Sequence, residues 1–360
     1  MIQEPRYMFV VKDASSNQYE FHNATERAYE HYENDIGRCR FFVPYSDLKL
    51  TPTSISDHSF SEILIYRNES LVWQGFIQML QDTIDGVWVY GETYIAALEW
   101  YGVRYDQAYS TDNISTLIGD EYDNIVARAS NFPLAKITKG TIQNPYQTGT
   151  TDALTLTRTL FNETMLSVLK DMVALSRGEE TSAWGQNAVF NISFSATAPT
   201  FSFTRNAGAE QADVIFELDS EIVDFNIITD LRYITNECKG FTVAAGPIIL
   251  TSTATDATSN STWYRREGYP YFPNLTSQAD LDQLVKNVVS KGKNPEVTMN
   301  LKFASGLKPL DGYSISDKVK LRINRGRVHI DEYRRVVGME VNIDNSGVES
   351  AVPILQKLRT

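Results

Sequence analysis

The side chains that most often perform chemistry are few and scattered in this chain. His22, His31, His58 and His329 are its only histidines, and no His-Glu-x-x-His or clustered Cys and His spacing occurs. A zinc site needs three or four such ligands at short, defined spacings. The sequence therefore predicts no metal site.

Signatures of nucleophiles and of nucleotide sites are missing from the sequence as well. It contains no Gly-x-Ser-x-Gly elbow, no GxxxxGK[ST] loop and no GxGxxG loop. A glycosidase needs two carboxylates at a set separation in a cleft, whereas Asp82 and Asp85 lie in turn-like sequence. We predict no catalytic residue, no cofactor and no enzymatic activity.

An aromatic and basic cluster is the most unusual local composition. It comprises Trp263, Tyr264, Arg265, Arg266, Tyr269, Tyr271 and Phe272. Tyr, Trp and Arg are enriched where protein subunits meet, so a subunit contact is one interpretation. A sugar-binding strip is another, and a third is a loop anchored on the core of its own chain.

A basic run near the C-terminus is the second candidate site. It comprises Lys318, Lys320, Arg322, Arg325, Arg327, Arg334 and Arg335. Asp317, Asp331 and Glu332 are interspersed, and the whole chain has a net charge of −12, which repels phosphate. Sequence-specific nucleic-acid binding is therefore not predicted. The run is typical of solvated strand faces, or of a docking surface for an acidic neighbouring subunit.

An amphipathic helix is predicted between these two clusters. Five apolar residues recur there at helical spacing: Leu281, Leu284, Val285, Val288 and Val289. Ser277 and Asp280 resemble a capping box at its start, and Gly292 and Pro295 end it.

Short strands and a few helices account for the other elements. Alternating or apolar runs predict strands over residues 7–11, 40–44, 63–66, 71–77, 87–90, 189–194, 200–204, 214–218, 297–303, 318–323 and 337–343. Residues 94–100, 114–129 and 163–176 have helical periodicity. Polar composition predicts a long loop over residues 136–151 and an exposed loop over residues 251–262.

These elements predict a mainly β fold with α+β inserts, in which two small β-barrel domains are combined with helix-containing modules. Residues 1–107 form the first barrel, and residues 108–212 form an α+β insert. The second barrel combines residues 213–255 with residues 296–360. A loop and the amphipathic helix, residues 256–295, interrupt it.

The two cysteines and the apolar runs limit the cellular setting. Cys39 and Cys238 are far apart in strand-like sequence, and a reducing cytosol keeps such thiols free. No apolar run approaches the ~20 residues that span a bilayer. Residues 1–13 lack the basic and apolar segments of a secretory signal. We predict two buried free thiols and no membrane span.

Several short motifs follow one another in a fixed order. Residues 71–77 contain a v-x-x-G-x-[IV] element, and residues 230–240 place Asp230, Asn236 and Gly240 in one stretch. Arg266-Glu267 precedes the helix. Three motifs close the series: Ser316-Asp317-Lys318-Val319, Arg335-Val336 and the turn Asp344-Asn345-Ser346-Gly347.

This order resembles that of siphophage tail hub proteins and of the related central hub of contractile baseplates. The resemblance spans most of the chain. Two departures are that Ser316 stands where the family usually has Gly, and that Trp263-Tyr264-Arg265 replaces the usual Tyr-Gly.

The resemblance implies a structural virion protein rather than an enzyme. It implies a homotrimer whose paired barrels form a pseudo-sixfold ring around the DNA channel at the distal end of the tail. The implied partners are the distal tail protein ring, the tail tip or central fibre protein, and the C-terminus of the tape measure protein. The implied location is the tail tip of the virion, after synthesis in the host bacterial cytoplasm. In such a ring the basic run should face outward or toward another protein, because a basic lumen would retain DNA.

Two other functions stay open on the sequence. A distal tail protein or another tail-ring component shares the barrels and the acidity, but not the three-fold symmetry. A carbohydrate-binding or carbohydrate-cleaving β-protein would use the aromatic cluster for sugar. Mass in solution separates the first from a hub, and a glycan array separates the second.

Overall fold

The computed structural model describes most of the 360-residue chain. The described residues are 6–13, 15–51, 55, 61–103, 107–128, 133–144, 147–148, 151–152, 156–160, 163–176, 188–195, 197–205, 208–243, 249–273, 275, 277–304 and 312–358. His58 lies outside them.

The described residues form 23 strands, four α-helices and two 3-10 helices. The strands are β1 (Tyr7–Lys12), β2 (Gln18–Phe21), β3 (Thr25–Tyr32), β4 (Arg38–Pro44), β5 (Glu62–Arg67), β6 (Ser70–Asp82), β7 (Gly86–Thr93), β8 (Gln107–Asp112), β9 (Thr138–Ile142), β10 (Gln147–Thr148), β11 (Thr151–Asp152), β12 (Leu156–Leu160), β13 (Val189–Ile192), β14 (Thr200–Thr204), β15 (Glu210–Glu217), β16 (Ile222–Asp230), β17 (Glu237–Val243), β18 (Ile249–Thr255), β19 (Glu267–Gly268), β20 (Glu296–Phe303), β21 (Lys318–Arg325), β22 (Val328–Ile343) and β23 (Glu349–Lys357). The helices are α1 (Ile114–Arg128), α2 (Met165–Ser176), α3 (Ala257–Trp263) and α4 (Gln278–Gly292), with 3-10 helices at Tyr94–Glu99 and Leu134–Lys136.

The predicted mainly β fold class is confirmed, with 52% strand and 20% helix. Helix α4 begins directly after Ser277 and ends at Gly292, as its sequence pattern predicts. None of the helices in the described residues is long and apolar enough to cross a membrane.

One eleven-stranded sheet, here called the large sheet, joins the two ends of the chain. Its strand order is β15-β21-β22-β3-β4-β7-β6-β5-β1-β2, and β23 also pairs with β22. The first half of β22 pairs with β21, and its second half pairs with β3. The partner changes beside Gly338, where a Cβ atom would lie only 2.6 Å from the Tyr32 ring, and β22 also has a bulge there.

A buried hydrogen-bonded ion pair also ties β23 to the first strands. The Arg67 guanidinium donates to both oxygens of Glu349, at 2.5 and 2.8 Å, and the Tyr7 hydroxyl donates to Glu349 at 2.7 Å. Burial raises the pKa of Tyr7, so its hydroxyl stays protonated and donates. These residues are up to 342 positions apart in sequence, so only the folded chain brings them together.

The insert between β8 and β14 has its own apolar core, in which the Tyr122 and Phe201 rings stack with centroids 4.5 Å apart. A buried polar cluster joins it to the large sheet. The Lys136 ammonium lies 2.5 Å from the Glu62 carboxylate, which also accepts from the Tyr94 hydroxyl at 2.6 Å.

Two predicted loops are wrong. Residues 138–142, expected inside a long loop, form β9, which pairs in parallel with β14. Residues 251–262, expected as an exposed loop, form the end of β18 and most of α3. The polar side chains suggested loops, but β14 and β17 supply backbone partners, and Asp256 caps α3 by accepting from the Ser259 amide at 2.8 Å.

The Arg67 pair supports a stability prediction. Arg67→Met leaves the Glu349 carboxylate, whose side chain is 5% exposed, without its cation. We expect the free energy of unfolding in urea to fall by about 3–5 kcal/mol. Adding Glu349→Leu should recover most of this loss, because no buried charge remains.

The control for this experiment is Arg38→Met. Arg38 pairs with Glu92 at 3.5 Å, but its side chain is 67% exposed, so we expect a loss below about 1 kcal/mol. Equal losses for Arg67→Met and Arg38→Met would contradict the structural role of the Arg67 pair.

Candidate subunit-contact surface

The aromatic cluster belongs to a small unit, residues 231–295, here called the aromatic module. Its sheet has the order β18-β17-β19, and α4 packs on one face of this sheet. Leu281, Val285 and Val289 are buried there with Cys238. Cys39 is buried in the core of the large sheet instead, so the two thiols lie in different cores.

Gly240 allows α4 to approach the sheet closely. A Cβ atom on Gly240 would lie 2.3 Å from a Val285 methyl group and 2.8 Å from the Phe272 ring. Both distances are shorter than carbon atoms tolerate, so any larger residue would push the helix away. The Gly at this position of the motif therefore has a packing reason.

Asn236 holds the aromatic segment in place. Its buried side-chain amide donates to the Tyr264 carbonyl at 2.7 Å and to the Ser259 hydroxyl at 3.2 Å, and it accepts from the Arg266 amide at 2.8 Å. A buried amide with three partners of good geometry fixes the backbone at Tyr264 and Arg266 and the side chain of Ser259. Asn236 thus orients the turn that carries Tyr264.

The structure divides the predicted aromatic residues into two groups. Tyr264, Tyr269 and Tyr271 are exposed, whereas Trp263 and Phe272 are half-buried. Phe272 packs against the module core. The interpretation as a loop anchor therefore fits Phe272, and the three tyrosines remain available for contact.

Three residues that the sequence reasoning missed extend this surface. Phe241, Val243 and Ile249 are exposed on the face of the β17-β18 sheet opposite α4. The Phe241 ring lies 5.4 Å from that of Tyr271. Their alternation with Thr242 and Leu250 in the sequence indicates strands with two different faces, but alternation does not tell which face is covered.

Charged residues border the exposed rings. Arg265 pairs with Glu237 at 2.6 Å and with Glu267 at 2.5 Å, and the Lys239 ammonium lies 3.5 Å from each of these carboxylates. Lys239 also lies over the Tyr269 ring, 5.9 Å from its centroid. An apolar centre with a charged rim is typical of protein–protein contacts.

The basic run lies along the β21–β22 hairpin, and intrachain carboxylates neutralise part of it. Lys320 lies 3.0 Å from Asp331, which holds the pKa of that carboxyl below its usual value, and Arg322 lies 3.4 Å from Glu217. Arg325 lies 3.8 Å from Asp219.

The other members of the basic run differ in exposure. Arg334 and Arg335 are buried, the first beside Glu332 and the second 3.7 Å from Glu33. Lys318 is half-buried, and Arg327 is exposed at the turn. The run therefore does not form one continuous exposed basic face.

The motif around Asp317 has a structural explanation. Its carboxylate accepts from the backbone amides of Ala209 and Ser314 at 2.7 and 2.8 Å, and so fixes the start of β21. Ser316 has a φ of 80°, a left-handed conformation that favours glycine. A glycine at this position would adopt the same conformation without strain.

A mixed-charge groove of about 530 Å³ lies on the large sheet, lined by Glu30, Glu340, Arg38 and Arg40 among others. Glu30 and Glu340 are directly opposite each other on β3 and β22. Burial and the neighbouring Glu340 raise the pKa of Glu30. Across the described ranges, no three His, Cys, Asp or Glu side chains converge as metal ligands would.

Comparison with solved structures identifies the fold. A prophage tail protein, gp18 from Listeria monocytogenes, superposes with a TM-score of 0.61 at 9% identity over 98% of this chain and 95% of that chain. The 43 kDa tail protein of prophage MuSo2 from Shewanella oneidensis gives 0.63 at 14% identity, over 98% of both chains. A tail protein from Neisseria meningitidis MC58 gives 0.60 at 11% identity, over 98% and 96%.

Sequence comparison adds nothing to this likeness, since neither a protein-family model nor a curated protein matches the chain. The chain has the fold of these tail proteins over 98% of its length. The resemblance to phage tail proteins is thus confirmed as a resemblance of fold.

The contact at Gly240 supports a prediction for the aromatic module. Gly240→Ala should lower the free energy of unfolding by about 1–3 kcal/mol, because the added methyl group overlaps Val285 and Phe272. Hydrogen exchange should show the loss in α4. Combining it with Val285→Ala should cost less than the sum of the two single changes.

Gly102→Ala is the matched control, since its added Cβ would lie 3.6 Å from its nearest neighbour, an ordinary contact. We expect no loss of stability there. Additive costs for Gly240→Ala and Val285→Ala would contradict the direct overlap.

Proposed function

We propose that this chain is a structural protein of a phage tail, forming a homotrimeric hub at the distal end of the tail. It joins the tail tube and distal tail ring to the tip or central fibre, and it surrounds the DNA channel. The observation that carries this proposal is the fold likeness to two prophage tail proteins and to a tail protein from Neisseria meningitidis, which covers at least 95% of each of these chains. A shared fold alone does not define function, so the function must also be inferred from the surfaces of the chain.

The surface of the aromatic module supports an assembly role. Tyr264, Tyr269 and Tyr271, together with Phe241 and Ile249, are each at least 39% exposed. Contiguous exposed apolar surface is uncommon on monomeric proteins and marks sites of association. We assign the cluster as a contact between subunits. The chain works without catalysis or cofactor, as a component of the virion tail tip made in the host bacterial cytoplasm.

The composition of this surface distinguishes protein from sugar as its partner. Aromatic rings stack on sugars, but Val243 and Ile249 are branched aliphatic residues that offer a sugar no hydrogen bond. Both are exposed beside the rings. Buried against another protein, they would contribute apolar area at ~25 cal/mol per Å². A carbohydrate-binding role is therefore the weaker alternative, and a distal tail protein is the closer one.

The oligomeric state tests the hub directly. We expect native mass spectrometry to give three copies of the chain, and negative-stain images to show a ring around a central opening. Six copies would instead favour a distal tail or other tail-ring component. A monomer that binds in a glycan array, or that hydrolyses polysaccharide through one carboxylate, would contradict the structural role.

The basic run has a different test. Because Lys320 and Arg322 contact carboxylates and Arg335 is buried, we propose that the hairpin faces outward or toward a neighbouring protein, such as the distal tail ring or the C-terminus of the tape measure protein. The assembled protein should bind duplex DNA no more tightly than about 10⁻⁴ M at physiological salt.

Asp331→Asn provides the matched comparison for DNA binding. It removes the carboxylate that pairs with both Lys320 and Arg322, so we expect it to increase DNA affinity and its salt dependence. Tight, salt-sensitive DNA binding by the unmodified protein would contradict the proposed orientation.

A further inference from the structure

Tyr264 combines an exposed side chain with a strained backbone. Its side chain is 83% exposed, and its backbone has a φ of 62° and a ψ of 160°. Only glycine adopts this region without strain. The ring of Tyr264 forms no aromatic or cation contact with the residues that the structure describes. Among the described residues, therefore, no ring or cation contact of the side chain offsets the backbone strain.

The surroundings impose this conformation. The Tyr264 carbonyl accepts from the buried Asn236 amide, and the next but one residue, Arg266, donates its backbone amide to the same side chain. The Asn236 backbone carbonyl also accepts from the Asp256 amide, and the Asn236 backbone amide donates to the Arg266 carbonyl. Strained residues held by such networks tend to lie at ligand contacts and functional sites.

We propose that Tyr264 anchors a head-to-tail contact in which the aromatic module of one copy docks on the acidic remainder of the next. The inference rests on the proposed trimer and names the surfaces that would form it. Burial of the exposed ring against a second copy would offset the free energy that the strained backbone costs in the isolated chain.

Charge identifies a second copy as the occupant. Residues 231–295 contain seven Lys and Arg residues and five Asp and Glu residues, a net charge of +2. The chain carries −12, so all the other residues together carry −14. A basic module and an acidic remainder attract each other between copies, which raises the association rate and selects the orientation.

The unlike charges also define the symmetry of the contact. A two-fold contact would place the same basic surface against itself, whereas basic against acidic requires two different surfaces. Such a heterologous contact closes into a ring when the rotation between copies permits it. The exposed Arg266, whose guanidinium has no partner within the described residues, is placed to take part.

The decisive variant is Tyr264→Gly in the full chain. Glycine relieves the strain, so we expect the unfolding midpoint, measured at a concentration where the copies are dissociated, to rise by about 2–4 °C. Loss of the anchor should weaken self-association about thirtyfold in sedimentation equilibrium. If Tyr264 had only a structural role, its replacement would lower both the unfolding midpoint and the association constant, or neither of them.

Tyr269→Gly is the control, because Tyr269 is exposed on the same surface with an ordinary backbone conformation. It should lower the unfolding midpoint and weaken association. A Tyr264→Gly variant that is less stable than the unmodified chain, or that assembles equally well, overturns the proposal and leaves the trimeric hub intact. An unmodified chain that never trimerises overturns both.

The docking of the basic module on the acidic remainder can be tested separately. Arg266→Glu should weaken self-association about tenfold, and added salt should weaken association of the unmodified chain. Lys286→Glu makes the same charge change on the exposed side of α4, outside the aromatic surface, and should have a smaller effect. Equal effects of the two reversals, or salt-independent association, would overturn the docking of basic on acidic surface.

Discussion

Strand β22 must find backbone hydrogen-bond partners along sixteen residues, and it does so with three other strands. Because β21 and β3 share one edge of β22, the strand has to exchange partners midway. Gly338 and the adjacent bulge permit this exchange, and the buried Arg335 lies beside Glu33 at the same place. The first and last strands of the chain therefore belong to one sheet, and the insert and the aromatic module are attached to it.

The motif residues have a common physical character. Gly240 avoids an overlap with α4, the Asn236 side chain holds the Tyr264 carbonyl and the Arg266 amide, and Asp317 accepts from two backbone amides. Each role depends on backbone geometry, for which few side chains substitute. Such positions can persist while apolar core residues exchange freely.

The two clusters that the sequence singles out differ in how the structure exposes them. The aromatic module exposes Tyr264, Tyr269, Tyr271 and Phe241, whereas several cations of the basic run are paired or buried at β21 and β22. Arg334 and Arg335 illustrate the difference, since both are buried beside carboxylates. The strained Tyr264 is the opposite case, because its side chain is exposed while its backbone is held in a conformation that favours glycine.

The periodicity of the sequence is enough to predict many of the helices and strands, and the order of the motifs is contained in the sequence directly. The helical spacing from Leu281 to Val289 and the alternation in residues 318–323 depend only on periodicity, which sequence contains directly. Tertiary structure alone decided which polar stretches became strands, as β9 and β18 did when β14 and β17 supplied their hydrogen-bond partners. It also decided that Phe241 and Val243 are exposed, and that Arg335 is not. Burial and pairing depend on residues distant in the chain, and no local pattern encodes them.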